Sequence, residues 1–241
     1  MKKNKPLAII YLCLNIAFVV AIVTLYIVKA ANGYSIRGNS SDFLFAPIVA
    51  CKLSAVGINL LYSLYLMIRY REKSFKQWSG FIPLLILFAF VADTMNSLSI
   101  MIVFYICFMI AYSIPYLFRK PKLIEGFVRL GVMIVVVVLI FVLEQKLSLV
   151  TRLTAGVGVT LIVTVVFAAI YYTKDKSKYN LYLLISALFA LISDVFLAIA
   201  FLTSSSLIAS NILSMFVWPT YLVEFIFLNI ALEKSLASSE A

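Results

Sequence analysis

Apolar residues in this chain come in long runs separated by short polar stretches. The runs cover about 7–28, 44–68, 81–98, 100–118, 124–143, 149–172, 180–203 and 209–232. Each is near the roughly 20 residues that an α-helix needs to cross a bilayer core. The pattern predicts an all-α fold: a polytopic membrane helical bundle of about eight transmembrane helices, with residues 1–241 forming a single transmembrane domain. The third and fourth runs are joined by a very tight connection around Asn96–Ile100. Pro47, Pro83, Pro115 and Pro219 lie within runs or near their ends, and Pro115 and Pro219 are expected to kink helices four and eight. Such kinks are tolerated in membranes where neighbours satisfy the freed carbonyl. Lys2, Lys3 and Lys5 followed by an apolar run resemble a signal peptide, but the run from Pro6 to Val28 is too long for an h-region of about 7–15 residues. It reads as the first transmembrane helix.

Composition agrees with the pattern. Hydrophobic residues make up 64% of the chain and charged residues 12%, against about half and a quarter in a soluble domain. The net charge of +10 does not point to nucleic acid, because the basic residues sit in small clusters between apolar runs. Eight spans with a cytoplasmic N-terminus put fifteen lysines and arginines inside: Lys2, Lys3, Lys5, Arg69, Arg71, Lys73, Lys76, Arg119, Lys120, Lys122, Arg129, Lys174, Lys176, Lys178 and Lys234. Four fall on the other side, namely Lys29, Arg37, Lys146 and Arg152, and Lys52 is left inside a span. This asymmetry predicts an even span count with both termini cytoplasmic.

The chain has no histidine, which excludes Ser-His-Asp and Cys-His catalysis and any histidine-ligated metal or haem within it. Cys13, Cys51 and Cys107 show no metal-ligand spacing and read as buried thiols. The glycines are scattered and form no phosphate loop.

Candidate chemistry lies where the apolar pattern fails. Asp93, Asp194, Glu224 and Lys52 fall inside spans two, three, seven and eight. A charge at the bilayer centre costs at least about 2.5–3.5 kcal/mol, so such residues normally face the bundle interior with partners and mark function. At 1.5 Å per residue, Lys52, Asp93 and Asp194 are expected near one level slightly past the midplane, with Glu224 nearer the cytoplasm. Helical spacing adds Asn96 and Ser97 to Asp93, Asn59 to Lys52, and Thr220 and Tyr221 to Glu224. Ala187, Ala190 and Ala198 share a stripe with Asp194, where small residues permit close packing. A structural polar cluster that fixes helix packing is the competing account of these groups.

Leu87-Phe88-Ala89-x-x-x-Asp93 recurs 101 residues later as Leu188-Phe189-Ala190-x-x-x-Asp194. Proline-tyrosine segments, Pro115-Tyr116-Leu117 and Pro219-Thr220-Tyr221-Leu222, follow each copy. An even number of spans separates the copies, which predicts a 4+4 parallel internal repeat.

Four segments carry a family resemblance. They are Ala89-Phe90-Val91-Ala92-Asp93, Phe108-Met109-Ile110-Ala111-Tyr112, Leu188-Phe189-Ala190-Leu191-Ile192-Ser193-Asp194 and Thr220-Tyr221-Leu222-Val223-Glu224. With the span layout and length, the chain resembles the lysoplasmalogenase (YhhN-like) membrane proteins over nearly its whole length. It departs from that family at Ala92, where glycine is usual, at Tyr112, where histidine is frequent, and at Glu224, where glutamine is frequent. The resemblance implies hydrolysis of the vinyl ether bond of lysoplasmalogens, releasing a fatty aldehyde and a glycerophospho-base. Asp93 and Asp194 would form the acid/base pair, with Lys52, Asn96, Tyr112, Tyr221 and Glu224 supporting the pocket. The partners implied are a lysophospholipid or other lipid substrate and the surrounding membrane lipids, in a bacterial cytoplasmic membrane. The chemistry suits carboxyl groups: a protonated acid delivers a proton to the vinyl β-carbon, and a carboxylate stabilises the oxocarbenium ion and activates water. It needs no metal and no cofactor. A proton-coupled transporter, or a lipid-handling protein without chemistry, would show the same midplane acids and repeats.

Overall fold

The computed structural model describes residues 5–32, 45–71, 78–94, 107, 110–112, 114, 123–143, 149–202 and 207–238. The described residues form helices and no strands. In chain order they are α1 (Lys5–Ala31), α2 (Phe45–Arg69), a 3₁₀ turn (Trp78–Phe81), α3 (Ile82–Thr94), α4 (Leu123–Leu143), α5 (Leu149–Lys174), α6 (Lys178–Leu202) and α7 (Leu207–Ser238). These coincide closely with the apolar runs. The tight connection at Asn96–Ile100, and with it Asn96, lies outside the described residues. So does most of the run 100–118, Pro115 included; Cys107, Ile110, Ala111, Tyr112 and Ile114 within it are helical.

Four described stretches are long and apolar enough to cross a membrane: Pro6–Ala31, Ala46–Arg69, Lys178–Ala200 and Ile212–Ala237. Their outward faces are apolar. Ile9, Ile10, Ile16, Val20 and Ile27 of α1, Leu61 and Ile68 of α2, and Leu188 and Val195 of α6 are exposed. The interior meanwhile holds Asn15, Asn59, Asn229, Thr160, Thr164 and Ser186. A soluble protein rarely leaves such large apolar patches uncovered; the arrangement is compatible with an integral membrane protein.

Helix ends are set by local chemistry. Pro6 falls in the first turn of α1, where its missing N–H costs nothing. The Asn32 side chain closes the other end by donating to the Val28 carbonyl at 2.7 Å. Between α5 and α6, Asp175 accepts from the Ser177 amide at 3.1 Å, and Asn180 ties back to the Asp175 carbonyl at 2.8 Å.

The long helix α7 is the hub. It packs most extensively on α6 and also meets α1, α2 and α3; α5 lies on α6, and α4 on α5. Ala187 and Ala190 are buried on the α6 side, as the small-residue stripe predicts. Pro219 stands inside α7, where it cannot donate to the carbonyl four residues back. The loosened turn is held by hydroxyls instead. Thr220 Oγ1 lies 2.7 Å from the Phe216 carbonyl, and Ser193 of α6 donates to the Val217 carbonyl at 3.1 Å. Ser193→Ala is therefore expected to weaken the α6–α7 contact by about 0.6 kcal/mol and no more than roughly 1.7 kcal/mol, read as thermal unfolding in detergent.

The last helix extends beyond its apolar run 209–232, to Ser238. Hydropathy falls at Glu233 and Lys234, yet Leu236 stays buried and Ser235 bonds Ser79 at 2.9 Å, so packing carries the helix onward. Cys13 is exposed and Cys51 and Cys107 are half-buried, so the thiols are not all core residues; on an apolar helix face a thiol packs as a small hydrophobe. Lys29, just past the apolar run 7–28, is a buried residue in the last turn of α1.

Candidate functional site

The buried polar residues of α1 fall at positions 11, 15, 26 and 29, steps that keep them on one helical face, whereas Thr24 is exposed. The four divide into two layers, because α2 and α7 meet α1 at two heights.

The first layer holds Tyr11 and Asn15 of α1, Asn59 of α2 and Asn229 of α7. Asn59 accepts from the Tyr11 hydroxyl at 2.5 Å and donates to Asn15 Oδ1 at 2.7 Å. Asn229 Nδ2 lies 3.1 Å from the Tyr11 hydroxyl and 3.0 Å from the Asn59 carbonyl. Tyr62 stacks on Tyr11 with ring centres 4.0 Å apart. This layer bonds three helices together and contains no ionisable carboxyl or amine.

The second layer carries the charges. Lys52 of α2 donates to the Tyr26 hydroxyl at 2.7 Å. Its ammonium lies 4.1 Å from the Trp218 ring centre and 5.1 Å from that of Tyr26. Asp93, one residue before the end of α3, accepts from the Tyr221 hydroxyl at 3.3 Å. Lys52 and Asp93 lie within electrostatic reach of one another, and Lys29 acts on Lys52 as a second cation. Trp218, Tyr221 and Phe225 form a ladder on α7, edge to face at 5.3 and 4.7 Å. Asp93 as a residue is partly accessible while Ala92 beside it is buried.

Asp194 keeps different company. It is half-buried on α6 and acts electrostatically on Glu224 of α7. Phe189 stacks on Phe227 and Phe196 meets Phe216, which brackets Asp194 and Glu224 within one antiparallel stretch. Glu224 is 2% exposed, and its Oε1 has no hydrogen-bond partner among the described residues. Tyr112 is buried, its hydroxyl 3.2 Å from Ser186 Oγ.

Of the residues expected from sequence, the structure thus joins Lys52, Asp93 and Tyr221 in one set and Asp194 with Glu224 in another. Tyr112 sits against α6 through Ser186. Sequence reasoning missed Tyr26, Lys29 and Trp218. Their signal was present: Tyr26 and Lys29 are three residues apart, as are Trp218 and Tyr221, so each pair shares a helix face. The repeated segments are alike in facing, with Leu87 and Leu188 exposed and Ala89 and Ala190 buried.

No family model matches the chain, and no curated protein or solved structure is significantly similar to it.

Proposed function

We propose that the chain is an integral membrane protein of eight spans and 4+4 parallel repeats, with both termini cytoplasmic, that hydrolyses the vinyl ether bond of lysoplasmalogen-type lysophospholipids. The observation that carries the reading is Asp93 at the end of an apolar helix, its carboxyl bonded by Tyr221 and within electrostatic reach of Lys52. Asp93 and Asp194 serve as the acid/base pair. One gives a proton to the vinyl β-carbon, leaving an oxocarbenium ion at the α-carbon. The other carboxylate faces that cation and takes a proton from the attacking water. The hemiacetal then collapses: its hydroxyl gives a proton to the first carboxylate, the second carboxyl gives the proton taken from water to the glycerol oxygen, and that C–O bond breaks. Fatty aldehyde and glycerophospho-base leave, one water is consumed and both carboxyls return to their starting states. Glu224, Tyr221, Tyr112, Lys52 and Asn96 support the pair. The repeated segments face alike at Leu87/Leu188 and Ala89/Ala190, which supports the repeat, while the two aspartates keep different partners.

The test is aldehyde release by the purified protein from a lysoplasmalogen, with the saturated 1-O-alkyl analogue as the substrate that cannot react. Release from the first and none from the second is expected; no release from either overturns the reading.

A second reading, a proton-coupled carrier, draws on Glu224, a buried carboxyl with an unpartnered oxygen beside Asp194. Proton-dependent uptake into proteoliposomes without aldehyde would favour it.

A further inference from the structure

Helix α7 turns one stripe toward α6. Phe216 meets Phe196 with ring centres 5.5 Å apart, the Val217 carbonyl accepts from Ser193, and Phe227 stacks on Phe189 at 6.1 Å. Glu224 is seven residues after Val217 and three before Phe227, so it lies on that stripe. Opposite it, Ala187 and Ala190 of α6 are buried, and their small side chains let the helices approach closely. Asp194 is one turn beyond Ala190 on the same face of α6. The ring pairs put residue 189 level with 227 and residue 196 level with 216, so the two helices run antiparallel. Helical side chains lean toward their own N-terminus. In this pair Asp194 therefore leans toward the level of Glu224, and Glu224 toward the level of Asp194. Their electrostatic contact agrees with that geometry.

Both carboxyls lie well inside their spans. Asp194 stands eight residues before Leu202 and Glu224 fourteen before Ser238, roughly 12 and 21 Å along the helix axes. Glu224 is buried, and its Oε1 has no hydrogen-bond partner among the described residues. The hydroxyls beside the pair are committed to backbone: Ser193 donates to the Val217 carbonyl and Thr220 to the Phe216 carbonyl. Lys52 and Asp93 meet α7 at Trp218 and Tyr221, on the side that faces α2 and α3. Two carboxylates in surroundings of low dielectric repel each other strongly. An ionised carboxylate only accepts hydrogen bonds, whereas a protonated one carries an O–H donor. A single proton thus removes one of the two charges and supplies the donor that the interface lacks. A bond from a carboxyl O–H to a carboxylate is short and about twice as strong as a neutral one.

We propose that Asp194 and Glu224 form a carboxyl dyad that holds one proton, the Glu224 O–H donating to the Asp194 carboxylate. The use of that proton rests on the hydrolase reading; the dyad itself does not. Within that reading the dyad is the acid. The vinyl π electrons take its proton through Asp194, forming the β-carbon C–H bond as the carboxyl O–H breaks. On collapse the hemiacetal hydroxyl returns a proton to the dyad. Asp93, which accepts from Tyr221 and lies within reach of Lys52, is then the carboxylate that activates water. Glu224 acts through Asp194 and is a positioning residue.

The test is infrared spectroscopy of the full chain at neutral pH, in a detergent without ester groups. A protonated carboxyl gives a C=O stretch that carboxylates and amides lack. Wild-type protein should show this band. Glu224→Gln should lose one carboxyl's intensity from it and stay folded, because the amide still donates to Asp194. Asp194→Asn should shift it, because the acceptor changes from a carboxylate to an amide. No band in the wild type overturns the proposal, as does a band unchanged in Glu224→Gln. A band lost in Glu224→Gln but unmoved in Asp194→Asn makes Glu224 a lone neutral acid and also overturns it. If Glu224→Gln does not fold, the shift in Asp194→Asn decides. In aldehyde release, Glu224→Gln should lower kcat by about 10²-fold with KM unchanged, and Glu224→Asp should recover part of the rate. Full rate in Glu224→Gln overturns the dyad as the acid and leaves the hydrolase standing. Wild-type protein with the expected band pattern but no aldehyde release keeps the dyad and loses the hydrolase.

Discussion

Asp93→Asn and Asp194→Asn are each expected to lower the rate of aldehyde release by about 10²–10⁴-fold. Asparagine keeps the size of aspartate and an acceptor oxygen. The Tyr221 hydroxyl, 3.3 Å from Asp93 Oδ2 in the native chain, can still bond it. What the amide cannot do is give up a proton to carbon or take one from water. The loss should therefore appear in kcat rather than KM, with the protein still folded. Full rate in both variants would sink the two-aspartate mechanism. The two substitutions should differ in stability, because their surroundings differ in sign. Asp93 faces Lys52, so neutralising it leaves that cation less well compensated and the fold weaker. Asp194 lies beside another carboxyl, Glu224, so neutralising it removes no counter-charge there and should cost less stability than at Asp93. Unfolding in detergent separates the cases. An equal drop for both would mean that Asp194 is as much a structural partner as Asp93.

Asn59→Leu is expected to give the largest stability loss of any single substitution outside the charged layer, roughly 2–4 kcal/mol, from three interhelical side-chain bonds at about 0.6–1.7 kcal/mol each. The Asn59 side chain takes the Tyr11 hydroxyl, serves Asn15 and lies 3.3 Å from Asn229 Nδ2, so one amide ties α1 and α7 to α2. Leucine fills the volume but takes the acceptor from the Tyr11 hydroxyl and the donor from Asn15 Oδ1, while Asn229 Nδ2 keeps the Asn59 backbone carbonyl and the Tyr11 hydroxyl. Hydrophobic driving force offers no remedy in a bilayer, where lipid tails are as apolar as leucine. Turnover per folded molecule should stay near the wild-type value, since this layer contains no group of the charged site. A loss of turnover with unchanged unfolding would instead make the asparagines part of the site.

The helices were legible because their signal is local. Runs such as 124–143 and 180–203 have the length of a span and little inside them to interrupt it, and the described helices Leu123–Leu143 and Lys178–Leu202 follow them within two residues. At the end of α7 the helix extends beyond its apolar part. Leu236 and Ser235 are held by packing that hydropathy does not register. Lys29 is buried for a related reason: it lies past the apolar run 7–28 but still within α1, which a count of charges does not register. Its position three residues after Tyr26 was the better guide.

Part of the candidate site was legible too. An ionisable residue in an apolar run stands out by itself, so Lys52, Asp93, Asp194 and Glu224 could be named from composition and spacing alone. Which of them meet could not. Four charged groups at similar depth allow several pairings, and depth is the only coordinate that a count along a helix supplies. The rotation of each helix about its axis, and the neighbour it turns toward, depend on how α7 packs among α1, α2, α3 and α6. That packing sets Lys52 against Tyr26 and Trp218, Asp93 against Tyr221, and Asp194 beside Glu224. The sequence by itself determined that the chain is helical, where its long apolar helices run and which residues break the apolar rule, because each is a property of neighbours along the chain. Only the tertiary structure decided the partners, because a charge in an apolar helix is satisfied across the helix interface by residues that can lie more than a hundred positions away.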